Sequence, residues 1–366
     1  MRRCGWWRGR LFEEGSGHDW LCVVKCYGCW AAADYLFLIG SCTKGISRWR
    51  ISRHTHMAYG KLLCRDLQNI GYSKEVVVAE NPDDVLHVVG GKPLNGTIKV
   101  RGAKNFVSKA MVAALLAPGK SVLRNVPEIR DVHVVSDLLR LHGVDVEVDG
   151  TNGVVSIDAS HVQLADVADV DTLSGSSRIP ILFSGPLLHR LGEAFIPALG
   201  GCNIGGRPID FHLETLRKLG ATVDKEHKDG IHITAPNGLT GAKIHLPYPS
   251  VGATEQTLLA AVLAKGKTEL SGAATEPEIM DLVCVLQKMG AIISVDVDRT
   301  FRIEGVEELK GYTHTSLTDR IEAASWASAA LATHGDIFVK GATQPEMMTF
   351  LNVFRKIGGE FDVTDK

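Results

Sequence analysis

The residues best suited to chemistry lie on a glycine-rich segment near the middle of the chain. Residues 200–212, GGCNIGGRPIDFH, hold four glycines around Cys202. This composition predicts a mobile loop with an exposed thiol, and Arg207 favours the thiolate because a nearby cation lowers the pKa of a cysteine. A cysteine on a loop that closes over a site can donate a proton or act as a nucleophile. The alternative is an ordinary turn with an incidental cysteine.

Other candidate residues lie where helices are predicted to begin. Lys104 and Asn105 belong to a GAKN motif that precedes an Ala-rich segment, and Ser250 is an N-cap candidate in a PSVGAT turn before a helix that begins near Thr254. A helix N-terminus offers free N–H groups and a partial positive charge, which predicts a site for phosphate or carboxylate. Two further turns carry basic residues, Arg130 and Arg178. Helix caps and surface charges are the alternative for each motif taken alone.

A repeated pattern must position these residues. Four segments each show an Ala/Leu-rich helix, a short apolar strand, a Pro- or Gly-marked turn and a second amphipathic helix. The second helices end at glycines about 70 residues apart, which predicts C-caps with positive φ: Gly143, Gly220, Gly290 and Gly358. Residues 144–149 alternate as a half-buried strand does, and Cys284 falls on a predicted apolar helix face. Repeats of this size predict an α/β fold. They do not by themselves predict a ligand site, because the repeats can also be a generic α/β duplication that shares none.

Composition excludes several classes of protein. The 366 residues are 45% hydrophobic and 22% charged, with a net charge of −2. These values are typical of a globular chain of two or three domains, and they exclude a collagen, a wholly disordered chain and a polytopic membrane protein. The net charge gives no basic field for nucleic acid. The sparse cysteines after residue 64 give no secreted disulfide framework, which favours a cytoplasmic location.

The N-terminal part has a different composition. Five of the six tryptophans lie in the first 49 residues, and six of the eight cysteines lie before residue 65. An apolar stretch at 20–42 is almost long enough to span a bilayer but contains charged residues. No clean signal peptide is present, and one Cys-x-x-Cys pair is weak support for zinc. Residues 1–85 are therefore predicted to be an atypical extension, disordered or translated from a misplaced start, with Met57 as a plausible true start.

Six motifs occur in an order and at separations that resemble one enzyme family. They are GAKN at 102–105, NVPEIRDV at 125–132, GGCNIGGRPIDFH at 200–212, PSVGAT at 249–254, TEPEIMD at 275–281 and TDRIE at 318–322. Together they resemble the UDP-N-acetylglucosamine 1-carboxyvinyltransferases, the enolpyruvyl transferases that begin peptidoglycan precursor synthesis. The resemblance covers about residues 86–366. The sister family, 5-enolpyruvylshikimate-3-phosphate synthase, shares the repeats but lacks the cysteine loop and is a distant second.

The resemblance implies an inside-out α/β barrel of repeated βαβαββ-type units with the helices inside. Residues 104–317 would form one complete domain of three repeats. Residues 86–103 would supply the first strands of a second domain, and residues 318–366 would begin the return to it. The remaining two units, with the Asp expected to deprotonate the sugar hydroxyl, would lie beyond the last residue given. An incomplete second domain predicts exposed apolar helix faces and poor solubility.

The implied reaction transfers the enolpyruvyl group of phosphoenolpyruvate to the 3′-hydroxyl of UDP-N-acetylglucosamine and releases phosphate. By resemblance, Cys202 would protonate the methylene carbon, Lys104 would contact phosphoenolpyruvate, and Arg207 would bind its phosphate side. The residues that would bind substrate are Lys104, Asn105, Arg130, Arg178, Arg207, Pro208, Ile209, Asp210, Phe211, Ser250, Val251 and Gly252. The epoxide antibiotic fosfomycin would alkylate Cys202.

The resemblance implies no metal, no organic cofactor, no nucleic acid and no membrane. It also implies a role in cell wall formation, cell shape and division. The alternative is an inactive or UDP-sugar-binding fragment of that enzyme. A further expectation is that another polypeptide supplies the missing half or that the chain associates with itself.

Overall fold

The computed structural model describes most of the chain from residue 91 onward. The described residues are 91–364 without 167, 171–176, 198, 201–207 and 225–229. Nearer the N-terminus it describes the backbone of four strands, β1 His18–Val23, β2 Phe37–Thr43, β3 Ile46–Arg50 and β4 His87–Val89. These strands pair antiparallel in the order β1-β2-β3-β4. Most of residues 1–85 lies outside the described part, so the expectations for that segment stay predictions.

The first repeat contains two helices and three strands. Its elements are α1 Lys104–Ala113 with a 3-10 turn at Ala114–Leu116, β6 Lys120–Arg124, α2 Arg130–Leu141, β7 Asp145–Asp149 and β8 Val154–Asp158. Strand β8 pairs antiparallel with both β6 and β7. A strand from much later in the chain, β16 Thr313–Thr315, adds in parallel to β6 and closes the sheet as β16-β6-β8-β7.

The second and third repeats follow the same plan, and the third has one additional strand. The second contains α3 Pro180–Leu191, β9 Glu193–Ile196, α4 Asp210–Lys218, β10 Thr222–Asp224 and β11 Ile231–Thr234. The third contains β12 Lys243–His245, α5 Val251–Ala261, β13 Lys267–Ser271, α6 Pro277–Met289, β14 Ile292–Val295 and β15 Phe301–Glu304. Their sheets have the orders β10-β11-β9 and β12-β13-β15-β14.

The first helix of each repeat lies at the centre of the molecule. Helices α1, α3 and α5 are buried along most of their lengths and share one apolar core. They can be buried on all sides because they are rich in Ala and Leu and carry few charges. The strands instead alternate between buried and exposed residues, as in β15, so their sheets lie outside the helices. The α/β class predicted from the sequence is confirmed, and closure into a barrel stays a prediction.

Two local predictions from the sequence have different outcomes. All four closing glycines have positive φ: Gly143 at 78°, Gly220 at 98°, Gly290 at 111° and Gly358 at 97°, so the predicted C-caps are confirmed. The prediction that Cys284 lies in the core is wrong, because its thiol is exposed. Helix α6 buries the residues on both sides of Cys284, such as Val283 and Val285, and position 284 points away from them.

A fourth repeat is formed by one early strand together with the last fifty residues. Its elements are β5 Asn95–Lys99, α7 Arg320–Ala332, β17 Asp336–Lys340 and α8 Gln344–Lys356, and β17 pairs in parallel with β5. This repeat has only two small apolar clusters, one around Trp326 and one around Met347. Large apolar side chains remain exposed on β17 and α8, among them Phe338 at 41% and Ile357 just after α8 at 65%.

No described helix combines the length and apolar character needed to cross a membrane.

Candidate functional site

The predicted binding residues that the structure describes lie at the N-terminal ends of five helices. Lys104, Arg130 and Asp210 are the first residues of α1, α2 and α4. Val251 is the first residue of α5, and Arg178 lies two residues before α3 begins. Helix N-termini present unpaired N–H groups and the positive end of the helix dipole. These positions therefore suit anionic ligands, and the basic side chains among them strengthen that preference.

A first group of candidate residues joins the starts of α1 and α2. The Lys104 ammonium lies 3.8 Å from an Asp131 carboxylate oxygen, and the two side chains are 20% and 31% exposed. Asp131 directly follows Arg130 in the first turn of α2. Because this ion pair is partly exposed, it contributes little to stability by itself.

Asp319 connects this first group to the fourth repeat. Its carboxylate caps α7 by accepting hydrogen bonds from two N–H groups of the first helical turn, and it also accepts one from the Lys104 backbone N–H at 3.0 Å. Burial raises the pKa of Asp319, and the three backbone donors oppose that shift. This one carboxylate therefore serves the starts of two helices, α1 and α7.

A second group of candidate residues joins the starts of α3, α4 and α5. The Arg178 guanidinium contacts the Pro208 carbonyl oxygen at 3.5 Å. Gly252 lies against His212, such that a Cβ on Gly252 would stand 2.8 Å from the imidazole Nε2. Only glycine fits this contact without a shift of the ring. The motif at 208–212 therefore lies between Arg178 on one side and the turn before α5 on the other.

Ser250 holds the turn that begins α5. Its hydroxyl accepts a hydrogen bond from the Ala253 N–H at 3.3 Å, so the predicted N-cap is confirmed. The helix begins at Val251, slightly earlier than the sequence suggested. The Thr254 hydroxyl donates to the Ser250 carbonyl and accepts from the Ala274 N–H, which fixes the turn from behind.

His212 is a functional candidate that the sequence reasoning quoted within its motif but did not single out. It is buried on α4, and burial lowers its pKa to about 4, so the imidazole is neutral near pH 7. A neutral ring packed against the backbone of Gly252 avoids the larger cost of burying a charged one. The signal in the sequence was a polar residue on the buried side of the helix that follows the glycine-rich segment.

A family model described as EPSP synthase (3-phosphoshikimate 1-carboxyvinyltransferase) matches residues 88–366. The chain belongs to this family. Members similar in sequence are named UDP-N-acetylglucosamine 1-carboxyvinyltransferase. The one from Protochlamydia amoebophila is 46% identical over 284 residues, which cover 76% of this chain and 61% of that protein. The one from Chlamydia pneumoniae is 45% identical, and the match covers 77% of this chain and 61% of that protein. The one from Azorhizobium caulinodans is 44% identical, and the match covers 77% of this chain and 67% of that protein.

Solved structures of EPSP synthase family folds resemble this one. The enolpyruvyl transferase NikO from Streptomyces tendae matches with a TM-score of 0.67 at 23% identity, over 75% of this chain and 65% of that one. EPSP synthase from Acinetobacter baumannii matches with a TM-score of 0.58 at 20% identity, over 74% of this chain and 60% of that one. At such identities the likeness shows the fold alone. The family predicted from the motifs is confirmed, and the chain spans about 61% of the length of the first two curated relatives.

Two residues predicted to be catalytic in this enolpyruvyl transferase fold, Cys202 and Arg207, lie outside the described residues. Their roles stay predictions, as do those of the other site residues. A concavity of about 450 Å³ occurs elsewhere, on the sheet of the third repeat, and its lining includes Lys243, Lys267 and Arg302. None of the predicted site residues lines it, so the helix starts described above are the better candidate site.

Proposed function

We propose that this chain binds phosphoenolpyruvate and UDP-N-acetylglucosamine and takes part in transfer of the enolpyruvyl group to the sugar 3′-hydroxyl with release of phosphate. The observation that carries the proposal is the placement of the candidate residues at five helix starts, joined by contacts into two groups. Both substrates are anions, and such an arrangement is suited to them. The names of relatives at 44% to 46% identity supply the reaction class.

The proposed reaction is an addition followed by an elimination. Cys202 gives a proton to the methylene carbon of phosphoenolpyruvate while the sugar 3′-oxygen bonds to the adjacent carbon and loses its own proton to a base. The resulting adduct then expels phosphate, and the methyl carbon loses a proton as the double bond forms again. The family resemblance implies an aspartate as that base, and none of the described residues is assigned that role.

Each group of candidate residues has a separate part in this proposal. Lys104, at the start of α1, binds the carboxylate or phosphate of phosphoenolpyruvate and offsets charge that develops as phosphate leaves. The turns that begin α4 and α5 receive the diphosphate of the nucleotide sugar through their free N–H groups. Arg178 contacts Pro208 and therefore lies where it can pair with the same diphosphate.

Titration calorimetry with UDP-N-acetylglucosamine tests the binding half of the proposal. We expect saturable binding by the wild-type chain, and Arg178→Ala should weaken it about tenfold or more because a charge-assisted contact is lost. Arg140→Ala is the matched control, since Arg140 is an exposed arginine of α2 that pairs with Asp137. Equal affinities for the two variants would contradict the assignment of Arg178. Shikimate 3-phosphate should not bind, and its binding would favour the sister reaction.

Fosfomycin labelling tests the reactive thiol. With UDP-N-acetylglucosamine present, we expect mass spectrometry to find the epoxide adduct on the 200–212 peptide at Cys202 and not at Cys284. Cys284 is a built-in control because it is an exposed thiol outside the candidate site. A general alkylating reagent such as iodoacetamide should modify Cys284 readily. Unmodified Cys202 in folded, substrate-bound protein would count against the proposal.

A second candidate function is binding of the nucleotide sugar without transfer. Its support is that the candidate residues described at the helix starts suit an anionic ligand, which is all that binding requires. Phosphate release from phosphoenolpyruvate in the presence of UDP-N-acetylglucosamine separates the two. Release by the chain alone supports transfer, and binding without release supports the second candidate.

A further inference from the structure

A buried ion pair joins α1 to α5 beneath the candidate site. The Lys109 Nζ lies 3.7 Å from a Glu255 carboxylate oxygen, and the two side chains are 9% and 4% exposed. Lys109 lies five residues after Lys104, and Glu255 lies five residues after Ser250. The pair is therefore about one and a half turns below both helix starts.

We propose that Lys109 and Glu255 form a positioning pair that fixes the first turn of α1 relative to the first turn of α5. This inference rests on the proposed function, because those two turns carry the candidate residues for the two substrates. Neither side chain is assigned a contact with a substrate. The pair would act through the turns above it and set the separation between the two groups of candidate residues.

A second contact connects the pair to the candidate site itself. The Lys109 ammonium donates a hydrogen bond to the Asn105 carbonyl oxygen at 2.7 Å. Asn105 is in the first turn of α1, next to Lys104. One ammonium group therefore holds both the backbone of that turn and the carboxylate from α5. A rotation of either helix start would lengthen one of these contacts.

Energetic reasoning favours a positioning role over a stabilising one. Two charges removed from water lose their hydration, and apolar residues of similar size at such sites are often neutral or more stabilising. The best-attested benefit of a buried ionic pair is that it selects one arrangement of the elements it joins. Two other buried polar side chains of α5 bond to helices other than α1: Gln256 accepts a hydrogen bond from Ser184 of α3, and Thr257 donates one to Thr215 of α4. The Lys109–Glu255 pair is directed to α1 itself, so it can fix the position of α5 relative to that helix.

The charged surroundings of Glu255 make this pair sensitive to pH. Lys109 faces it from α1, Glu278 from α6, and Glu276 from the turn before α6, while Arg320 of α7 pairs with Glu278. Burial raises the pKa of Glu255 to about 7; Lys109 opposes the shift and the two neighbouring glutamates add to it. The pair is accordingly fully charged only above neutral pH.

Amide hydrogen exchange on the full chain tests the proposal without a ligand. The variants are Lys109→Met, Glu255→Gln and the double variant, and the control is Lys267→Met, which breaks the exposed pair with Glu304. We expect peptides covering 104–110 and 250–257 to exchange about tenfold faster in all three test variants, relative to peptides of β7 and β8. The control should leave both peptides unchanged.

The double variant separates positioning from charge compensation. It contains no unpaired buried charge, so its unfolding midpoint should return toward the wild-type value while its two first turns still exchange faster. Wild-type exchange in the double variant would overturn the proposal, because the pair would then serve only to balance charge. If the wild-type chain fails to bind UDP-N-acetylglucosamine, the proposed function fails, while the exchange comparison still decides whether the pair fixes the two turns.

Discussion

Replacing Arg320 with methionine should lower the free energy of unfolding by about 3–5 kcal/mol. The Arg320 guanidinium makes two hydrogen bonds to the Glu278 carboxylate, at 3.0 and 3.1 Å. The Glu278 side chain is only 3% exposed, so water cannot replace the lost partner. A buried carboxylate without its cation costs more than the pair itself contributes. Because Arg320 begins α7 and Glu278 lies in α6, the loss should also loosen the fourth repeat from the third.

Arg302→Met is the matched control for this prediction. Arg302 also contacts two carboxylates, those of Glu269 and Asp296, but its side chain is 56% exposed. Its loss should cost less than about 1 kcal/mol because water screens the pair. Denaturant unfolding of both variants measures the difference. The double variant Arg320→Met/Glu278→Gln should regain part of the loss, and similar costs for Arg320→Met and Arg302→Met would show that burial of Glu278 does not matter.

Local features of the fold were predictable from the sequence. The four closing glycines have the positive φ that their positions after amphipathic helices required, and the strand at Asp145–Asp149 alternates as its valines indicated. These features depend on residues close together in the chain, where backbone sterics and hydrophobic periodicity decide the outcome. The family was also predictable, because its motifs are spread over most of the described chain.

Contacts between repeats were not predictable in the same way. Arg320 reads as a surface charge in its own segment, and only the packing of α7 on α6 gives it a buried partner. Cys284 reads as a core residue, but its place on α6 faces away from the neighbouring helices. Lys109 and Glu255 are separated by 146 residues, and neither segment alone indicates that the other neutralises it. A single sequence does not state which faces of distant repeats meet.

Repetition explains why the candidate residues gather at helix starts. Each repeat begins its central helix after a polar turn, and the central helices pack side by side in one core. The buried pair five residues below Lys104 and Ser250 indicates that the starts of α1 and α5 lie at the same end of that core. Polar groups at those starts can remain solvated while the apolar helix bodies are buried. The fold therefore collects several positive helix ends at one side without needing a specialised loop for each.

The contribution of Glu255 to stability should fall by about 3 kcal/mol between pH 4.5 and pH 7. Its pKa rises from an ordinary 4.5 to about 7 in the folded chain because the carboxyl group is buried. Below the unfolded pKa the group is neutral in both states, and this contribution is fully present. As the pH rises toward the folded pKa, the unfolded chain releases its proton first, and the advantage of the native state is lost.

Glu255→Gln isolates this effect when its free energy of unfolding is subtracted from that of the wild type at each pH. Subtraction is needed because the contribution of His212 to stability changes with pH in the opposite direction. The pKa of His212 is lowered from 6.5 to about 4 in the folded chain. Its contribution to stability is therefore fully present above pH 6.5 and is lost as the pH falls toward 4. In the wild type, the two opposite pH dependences of the free energy of unfolding should nearly cancel between pH 4 and pH 6.5. In Glu255→Gln only the His212 dependence remains, so the free energy of unfolding of this variant should rise over the same pH range. Glu304→Gln, at an exposed glutamate of β15, should give a constant difference from the wild type. A constant difference for Glu255→Gln as well would mean that Glu255 titrates near its ordinary pKa, and that Lys109 rather than burial dominates its surroundings.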